Sequence, residues 1–304
     1  MKPLYSYIRD FLREDFHAPY YLSVLAFLGI LLFTNYWFHL EPGYLDPLFG
    51  TPGHFYVVLG AFSFTYLATF SIQVAFGRVS WRQPVRFWIA LTFIFVIIAI
   101  DLSQTWYQNA VSYFPSESYW LTLKVLKNAS SLFTVIIPLG IFYLLSKQPS
   151  LFYGLSLKGF QLKPYVILCL IMLVIIALST MNSDLSNYYP TYRHEMGTYF
   201  EGREWISVFL YELFYGLDFI SVEMIFRGFL VIGLAHWLGK EAIIPMVAVY
   251  CLLHFGKPYP EAISSIFGGL TLGIFAYKSR TIMGGAMIHI CIALGMEYFA
   301  WMFK

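Results

Sequence analysis

Apolar residues in this chain come in long blocks separated by short polar punctuation. Runs of the length that a membrane crossing demands, about 20 residues, fall near 19–40, 54–76, 85–106, 122–145 and 164–181. A longer run covers 204–238, and three shorter ones follow at 241–256, 261–277 and 281–303. Taken as one tilted or broken element, 204–238 brings the total to nine. The pattern thus predicts an all-α, polytopic transmembrane helix bundle of about 8–9 spans, since helices satisfy their own backbone polar groups in lipid. Ahead of the first run, Leu4, Ile8, Phe11 and Leu12 recur at helical spacing among Lys2, Arg9, Asp10, Arg13 and Glu14. That spacing predicts an amphipathic helix over 1–18, lying in the membrane interface. A polar, tyrosine-rich loop over 182–203 separates N-terminal transmembrane helices (19–181) from a C-terminal core (204–304).

Composition agrees with this reading. The chain is 59% hydrophobic and 12% charged, with a mean hydropathy of +0.66, whereas soluble domains carry about a quarter charged residues. A net charge of +2 without any long basic run gives no reason to expect nucleic acid as a partner; the expected partner is the lipid bilayer. Cys169, Cys251 and Cys291 all lie inside apolar runs and far apart, so they read as small core residues and form no metal-binding pattern. The first 18 residues are charged and the first apolar run is long and aromatic, so no cleavable signal peptide is expected. With the N-terminus inside, inner segments hold Lys2, Arg9, Arg13, Arg78, Arg82, Arg86, Lys147, Lys158, Lys163, Lys240, Lys278 and Arg280. Outer segments hold only Lys124, Lys127, Arg193, Arg203, Lys257 and Lys304. This bias favours a cytoplasmic N-terminus.

The candidate chemistry lies in the C-terminal core. Ser221-Val222-Glu223-Met224-Ile225-Phe226-Arg227-Gly228 places a carboxylate and a guanidinium inside an apolar run. Glu223 and Arg227 are one turn apart and can pair on one helix face. Such groups inside a membrane span are costly enough to suggest function, although a self-neutralising pair can also simply staple a bundle. Counting from the Gly239-Lys240 hairpin at about 1.5 Å per residue puts Glu223 roughly 22 Å, Arg227 roughly 16 Å and His254 roughly 20 Å away. His289 lies roughly 13 Å above the Lys278–Arg280 turn on the same side. The carboxylate and both histidines can therefore converge in one layer. In His254-Phe255-Gly256-Lys257-Pro258, glycine and proline stop the helix. The irregular continuation Gly256–Pro260 then falls at membrane depth, where it must be buried in protein or line a wet cavity. Gly269 and Gly273, with Gly268, Gly284, Gly285 and Ala286 nearby, read as packing positions. Asp101, Glu212, Asp218 and Glu297 are weaker candidates. His194-Glu195 is not part of an HExxH motif, because residue 198 is threonine. The sequon Asn128-Ala129-Ser130 carries no further support.

Glu223-x-x-x-Arg227-Gly228, a histidine closing the next helix (Tyr250 through His254), and a third motif opening at His289 resemble the CPBP intramembrane proteases. That family includes CAAX prenyl endopeptidases and bacterial Abi or bacteriocin-processing proteins. The resemblance covers about residues 205–300. It implies an intramembrane endopeptidase acting on a membrane-associated peptide or protein substrate, in a multi-pass protein of the bacterial inner membrane. In that scheme Glu223 and His254 activate a water, His289 stabilises the oxyanion, and Arg227 orients Glu223. No cofactor is implied, although two histidines and a glutamate can also bind one zinc ion, which leaves Glu223, His254 and His289 as an alternative metal set. Two positions depart from the family pattern. Val222 stands where the EExxxRG motif has its first glutamate, and Ala293 stands where the third motif has asparagine or histidine. These departures motivate a second reading, a catalytically inactive membrane binding or immunity protein. A third is a proton-coupled transporter, against which stands the absence of a visible repeat between the halves.

Overall fold

The computed structural model describes residues 4–146, 152–158, 160–181 and 183–303, and among these every regular element is helical. Met1 to Pro3, Lys147, Asn182 and Lys304, which entered the reading above, lie outside the described residues. Six helical stretches are long and apolar enough to cross a membrane: Ala18–Phe38, Pro52–Ala75, Val85–Tyr113, Ser116–Ser146, Leu162–Thr180 and Met283–Met302. The expectation of nine included three further segments between 204 and 279. There the chain forms Glu204–Glu223, a wide π-type stretch Met224–Gly233, the short helix Ile243–Leu252, and Tyr259–Ser279. These segments are shorter, broken or more polar than the six.

Helix boundaries follow backbone chemistry. Proline occupies the first turn of Ala18–Phe38, Pro52–Ala75 and Tyr259–Ser279, where its missing N–H costs nothing. Two helices end on residues in the left-handed region, His39 at φ 50° and Arg280 at φ 59°.

The chain forms two compact units. The first comprises residues 1–103, 146–160 and 224–283. Within it, Tyr20, Val24, Leu28 and Leu32 form a stripe at i, i+4 spacing along Ala18–Phe38. The upper part of that stripe meets Ile244 and Ala248, and Leu32 meets Cys251 and Ala262. Off the stripe, Leu22, Leu25, Ile30 and Phe33 remain exposed, as lipid-facing side chains should. Gly269 and Gly273 do act as packing positions. A Cβ at the first would press on Tyr250 and at the second on Met246. Gly268, by contrast, faces open space. A helix runs over Leu4–Asp15 and packs on Tyr259–Ser279, with Phe11 buried, Leu4 and Ile8 half-buried and Leu12 exposed. Glu14 lies 3.8 Å from Lys278 across that contact.

The second unit comprises residues 104–145, 161–223 and 284–304. Leu121, Met196 and Tyr211 form one of its apolar clusters, and Leu185, Tyr189 and Ala300 another. Gly284 receives the Tyr165 ring so closely that no Cβ could be accommodated. Glu297, which the sequence gave little reason to single out, is buried and anchors the loop at 191–192. Its carboxylate accepts hydrogen bonds from the Thr191 and Tyr192 amides at 2.9–3.1 Å and from the Thr191 hydroxyl at 2.6 Å.

At a polar end of the first unit, Arg78 forms a two-point ion pair with Glu241, at 2.8 Å through Nε and 3.0 Å through Nη2. Its guanidinium carbon lies 4.5 Å over the Tyr20 ring. Gln73 donates to the Glu241 carbonyl at 2.9 Å and to the Tyr20 hydroxyl at 3.2 Å. Three chain segments meet at this carboxylate, and removing one partner would leave a charge poorly solvated. Glu241→Ala is therefore expected to cost about 3 kcal/mol of stability. Adding Arg78→Ala should cost less than the sum of the single changes, measured by denaturation of the detergent-solubilised protein. Additive losses would show that the pair is not coupled.

Candidate active site

The four residues singled out in the sequence fall into two groups, one in each unit. The chain passes from one unit to the other between Glu223 and Met224, where α-helical hydrogen bonding gives way to the π-type stretch. π-type interruptions are uncommon and frequently mark functional positions. This one carries Arg227 and Gly228.

In the second unit, Glu223 closes its helix with no exposed surface. His289 Nδ1 lies 3.1 Å from Glu223 Oε1. The ring centroid of His289 is 4.3 Å from that of Phe219, one turn before Glu223. Counting rises allowed these two residues to share one layer, and the structure joins them directly. A carboxylate can only accept, so in the neutral imidazole Nδ1 carries the hydrogen and Nε2 keeps a lone pair. The other carboxylate oxygen is pressed against Gly285, one turn before His289. A Cβ on Gly285 would overlap Oε2 and stand 3.2 Å from Cδ. Gly285 thus has a tighter purpose than helix packing, because it leaves room for the carboxylate.

In the first unit, Arg227 is buried, with its guanidinium carbon 4.0 Å over the Tyr250 ring. Tyr250 meets Phe226 edge-on at 5.2 Å and His254 at 4.7 Å. Tyr250, which opens the second motif, is therefore the plate that meets both the cation and the imidazole. His254 stands just beyond Ile243–Leu252 in a hydrogen-bonded turn. Its Nδ1 donates to the Tyr250 carbonyl at 2.9 Å, so neutral His254 also presents a lone pair on Nε2. The chain stays irregular from Gly256 to Pro258 and becomes helical again at Tyr259.

Residues 204–295 match the family model described as Rce1-like, type II CAAX prenyl endopeptidase Rce1-like. This stretch is an Rce1-like domain. It is consistent with a member of the CPBP family, and it contains all four motif residues. Comparison with curated proteins and with solved structures gives no match.

Within the Rce1-like domain, Ala293 is buried and brings no polar group to the position of the family's asparagine or histidine. Among the described residues, no three His, Cys, Asp or Glu side chains gather closely enough to hold a metal ion. Of the weaker candidates, Asp218 is hydrogen-bonded to the Ser131 hydroxyl and Glu297 to the 191–192 loop, so both are committed to structure.

The Gly285 contact yields a test. In Gly285→Ala the carboxylate can make room for the methyl group only by leaving His289, which leaves a buried carboxylate poorly paired. Displacing a group by about an ångström can cost 100-fold in rate where that group reacts. Peptide cleavage by this variant should fall by about that factor, and the melting temperature should fall as well. The shorter Glu223→Asp should restore part of the loss when combined with it. Wild-type turnover by Gly285→Ala would show that the contact is irrelevant to activity.

Proposed function

We propose that the chain is an intramembrane endopeptidase that hydrolyses a peptide bond in a membrane-associated substrate, using a water activated by Glu223 and His254. The observation that carries the reading is the hydrogen bond between a fully buried carboxylate, Glu223, and a half-buried imidazole, His289. That pairing links the first and third motifs of the family pattern. His254 supports it with a defined tautomer. Its Nε2 lone pair can accept a hydrogen from water, and in this proposal the Glu223 carboxylate takes the water's proton. Attack on the carbonyl carbon forms a C–O bond as the C=O π pair moves to oxygen. A protonated His289, which keeps its bond to Glu223 and carries a hydrogen on Nε2, would meet that oxyanion. Collapse of the oxyanion re-forms the C=O bond and breaks the C–N bond, while the proton held by Glu223 passes to the departing nitrogen. Arg227, stacked on Tyr250, supplies the positive charge of the first motif. The lysine and arginine bias supports a cytoplasmic N-terminus, and the bacterial inner membrane is what the family resemblance implies.

The second reading, a non-catalytic binding or immunity protein on the same scaffold, is favoured by Val222 and Ala293. Both readings are separated by assays of the purified, lipid-reconstituted protein on membrane-anchored peptides. General-base groups contribute about 100- to 10,000-fold, so Glu223→Gln should lower kcat by a factor in that range. The same residue change should leave folding intact, because an amide is isosteric with the carboxylate. Equal turnover by wild type and Glu223→Gln would remove Glu223 from catalysis. Peptide retention by wild type without cleavage would favour the second reading. Activity that survives a strong chelator is expected, and loss restored by added zinc would reinstate the metal alternative.

A further inference from the structure

The buried stripe of Ala18–Phe38 does not end with its apolar residues. It continues to Asn35, which is also buried, and there it reaches the turn that carries His254. Asn35 Nδ2 donates to the Phe255 carbonyl at 3.1 Å, while Asn35 Oδ1 accepts from the Glu41 amide at 3.1 Å. The Tyr36 hydroxyl donates to the Lys257 carbonyl at 2.7 Å and lies 3.4 Å from that of His254. Its ring meets Tyr259 edge-on at 4.9 Å. The Glu41 side chain then packs on the middle of the turn. A Cβ on Gly256 would stand 2.6 Å from Glu41 Oε1 and 3.1 Å from Cδ, so glycine alone leaves room for it. Carbonyls that a broken helix leaves without partners are thus met by Asn35 and Tyr36, neither of which belongs to the Rce1-like domain.

We infer that Glu41 is a positioning residue for His254: its side chain seats Gly256 and, with Asn35 and Tyr36, fixes the turn that presents the imidazole. The kinetic consequence rests on the proteolytic reading; the seating does not. It gives the segment 35–41 a purpose in the site, adding to the turn's own hydrogen bonds a set of contacts from outside the matched stretch.

Burial, with Asp46 adding repulsion, pushes the Glu41 carboxyl up from 4.5 to about 7. The titratable groups that act on it are Asp46, which repels it, and Tyr36, whose own charged and titratable neighbours are Cys251, Tyr259 and Glu261. No cation among the described residues pairs with Glu41. Below about pH 7 it is neutral and packs as a small polar group; above, it is charged and draws water into the contact. The folded chain holds this proton more tightly than the unfolded one. Stability from this group therefore declines as pH rises from about 4.5 to about 7 and levels off beyond.

The experiment uses the full chain in liposomes, with kcat/KM for a membrane-anchored peptide followed from pH 5 to 9. In parallel, carbethoxylation of His254 by diethyl pyrocarbonate is followed by mass spectrometry. Wild type should lose kcat/KM above pH 7. Glu41→Gln cannot ionise, and should move that limb upward by at least one pH unit. Glu41→Ala should lower kcat about tenfold with KM unchanged and alter the His254 modification rate at least threefold, with Glu41→Gln restoring both toward wild type. If Glu41→Ala does not fold, the Glu41→Gln profile decides. A Glu41→Gln profile that superposes on wild type, or an unchanged His254 modification rate in Glu41→Ala, would overturn the proposal. If no variant, nor wild type, cleaves any peptide, the proteolytic reading fails while the modification rates still test the seating of His254.

Discussion

A carboxylate with no exposed surface has to be met by something that replaces water, and Glu223 is met by an imidazole on one oxygen and by the space above a glycine on the other. That single requirement organises the Met283–Met302 helix around it. Gly285 and His289 are one turn apart on the same face, the first so that the carboxylate fits and the second so that it is hydrogen-bonded. An unpaired buried carboxylate would cost several kcal/mol, so neither position is free to vary independently. The proposed function rests on the same contact, a buried carboxylate hydrogen-bonded to an imidazole.

The first unit solves a different problem with similar means. A helix of ten residues, Ile243–Leu252, cannot cross a bilayer core of about 30 Å, and its broken end exposes carbonyl groups. In lipid such groups must find donors within the protein. Asn35 and Tyr36 supply them, and the arrangement works because the stripe at i, i+4 spacing keeps the same face of Ala18–Phe38 turned inward down to Asn35. The side chains that hold the turn are therefore placed by the packing of apolar residues several turns away. Met224–Gly233 is the corresponding irregularity on the motif that carries Arg227, and there an aromatic plate, Tyr250, receives the cation.

What could be read from the sequence, and what could not, follows from the range of each signal. Long apolar runs report directly on solvent, so the helical membrane class and the first five runs were legible, and each coincides with a helix long enough to span. The run 204–238 was legible as broken but not where it breaks, because a switch from α to π hydrogen bonding leaves no periodicity of its own in ten residues. Glu223, Arg227, His254 and His289 stood out because polar residues are rare against that background. The pairing of Glu223 with His289 was within reach of counting rises, but only to within the several ångströms that tilt introduces. Gly285 was legible as small and not as the seat of a carboxylate, since a stripe of small residues looks the same whether it faces a methyl group or an oxygen.

Glu41 and Asn35 were invisible for a stronger reason. They lie more than two hundred residues from the turn they support, Asn35 on the helix Ala18–Phe38 and Glu41 just beyond it, and nothing local distinguishes a glutamate that seats a glycine from one that faces water. The same reasoning bears on Val222. A family pattern assigns importance by position along one helix, whereas a hydrolytic site needs charge and donors at positions in space, from whichever segment supplies them. In this chain the matched segment contributes one carboxylate and two imidazoles, and the groups that steady one of those imidazoles come from elsewhere. On the proposed reading, the departure at Val222 bears on activity only as far as the remaining groups fail to hold and deprotonate a water, and that reading rests on the buried Glu223–His289 hydrogen bond.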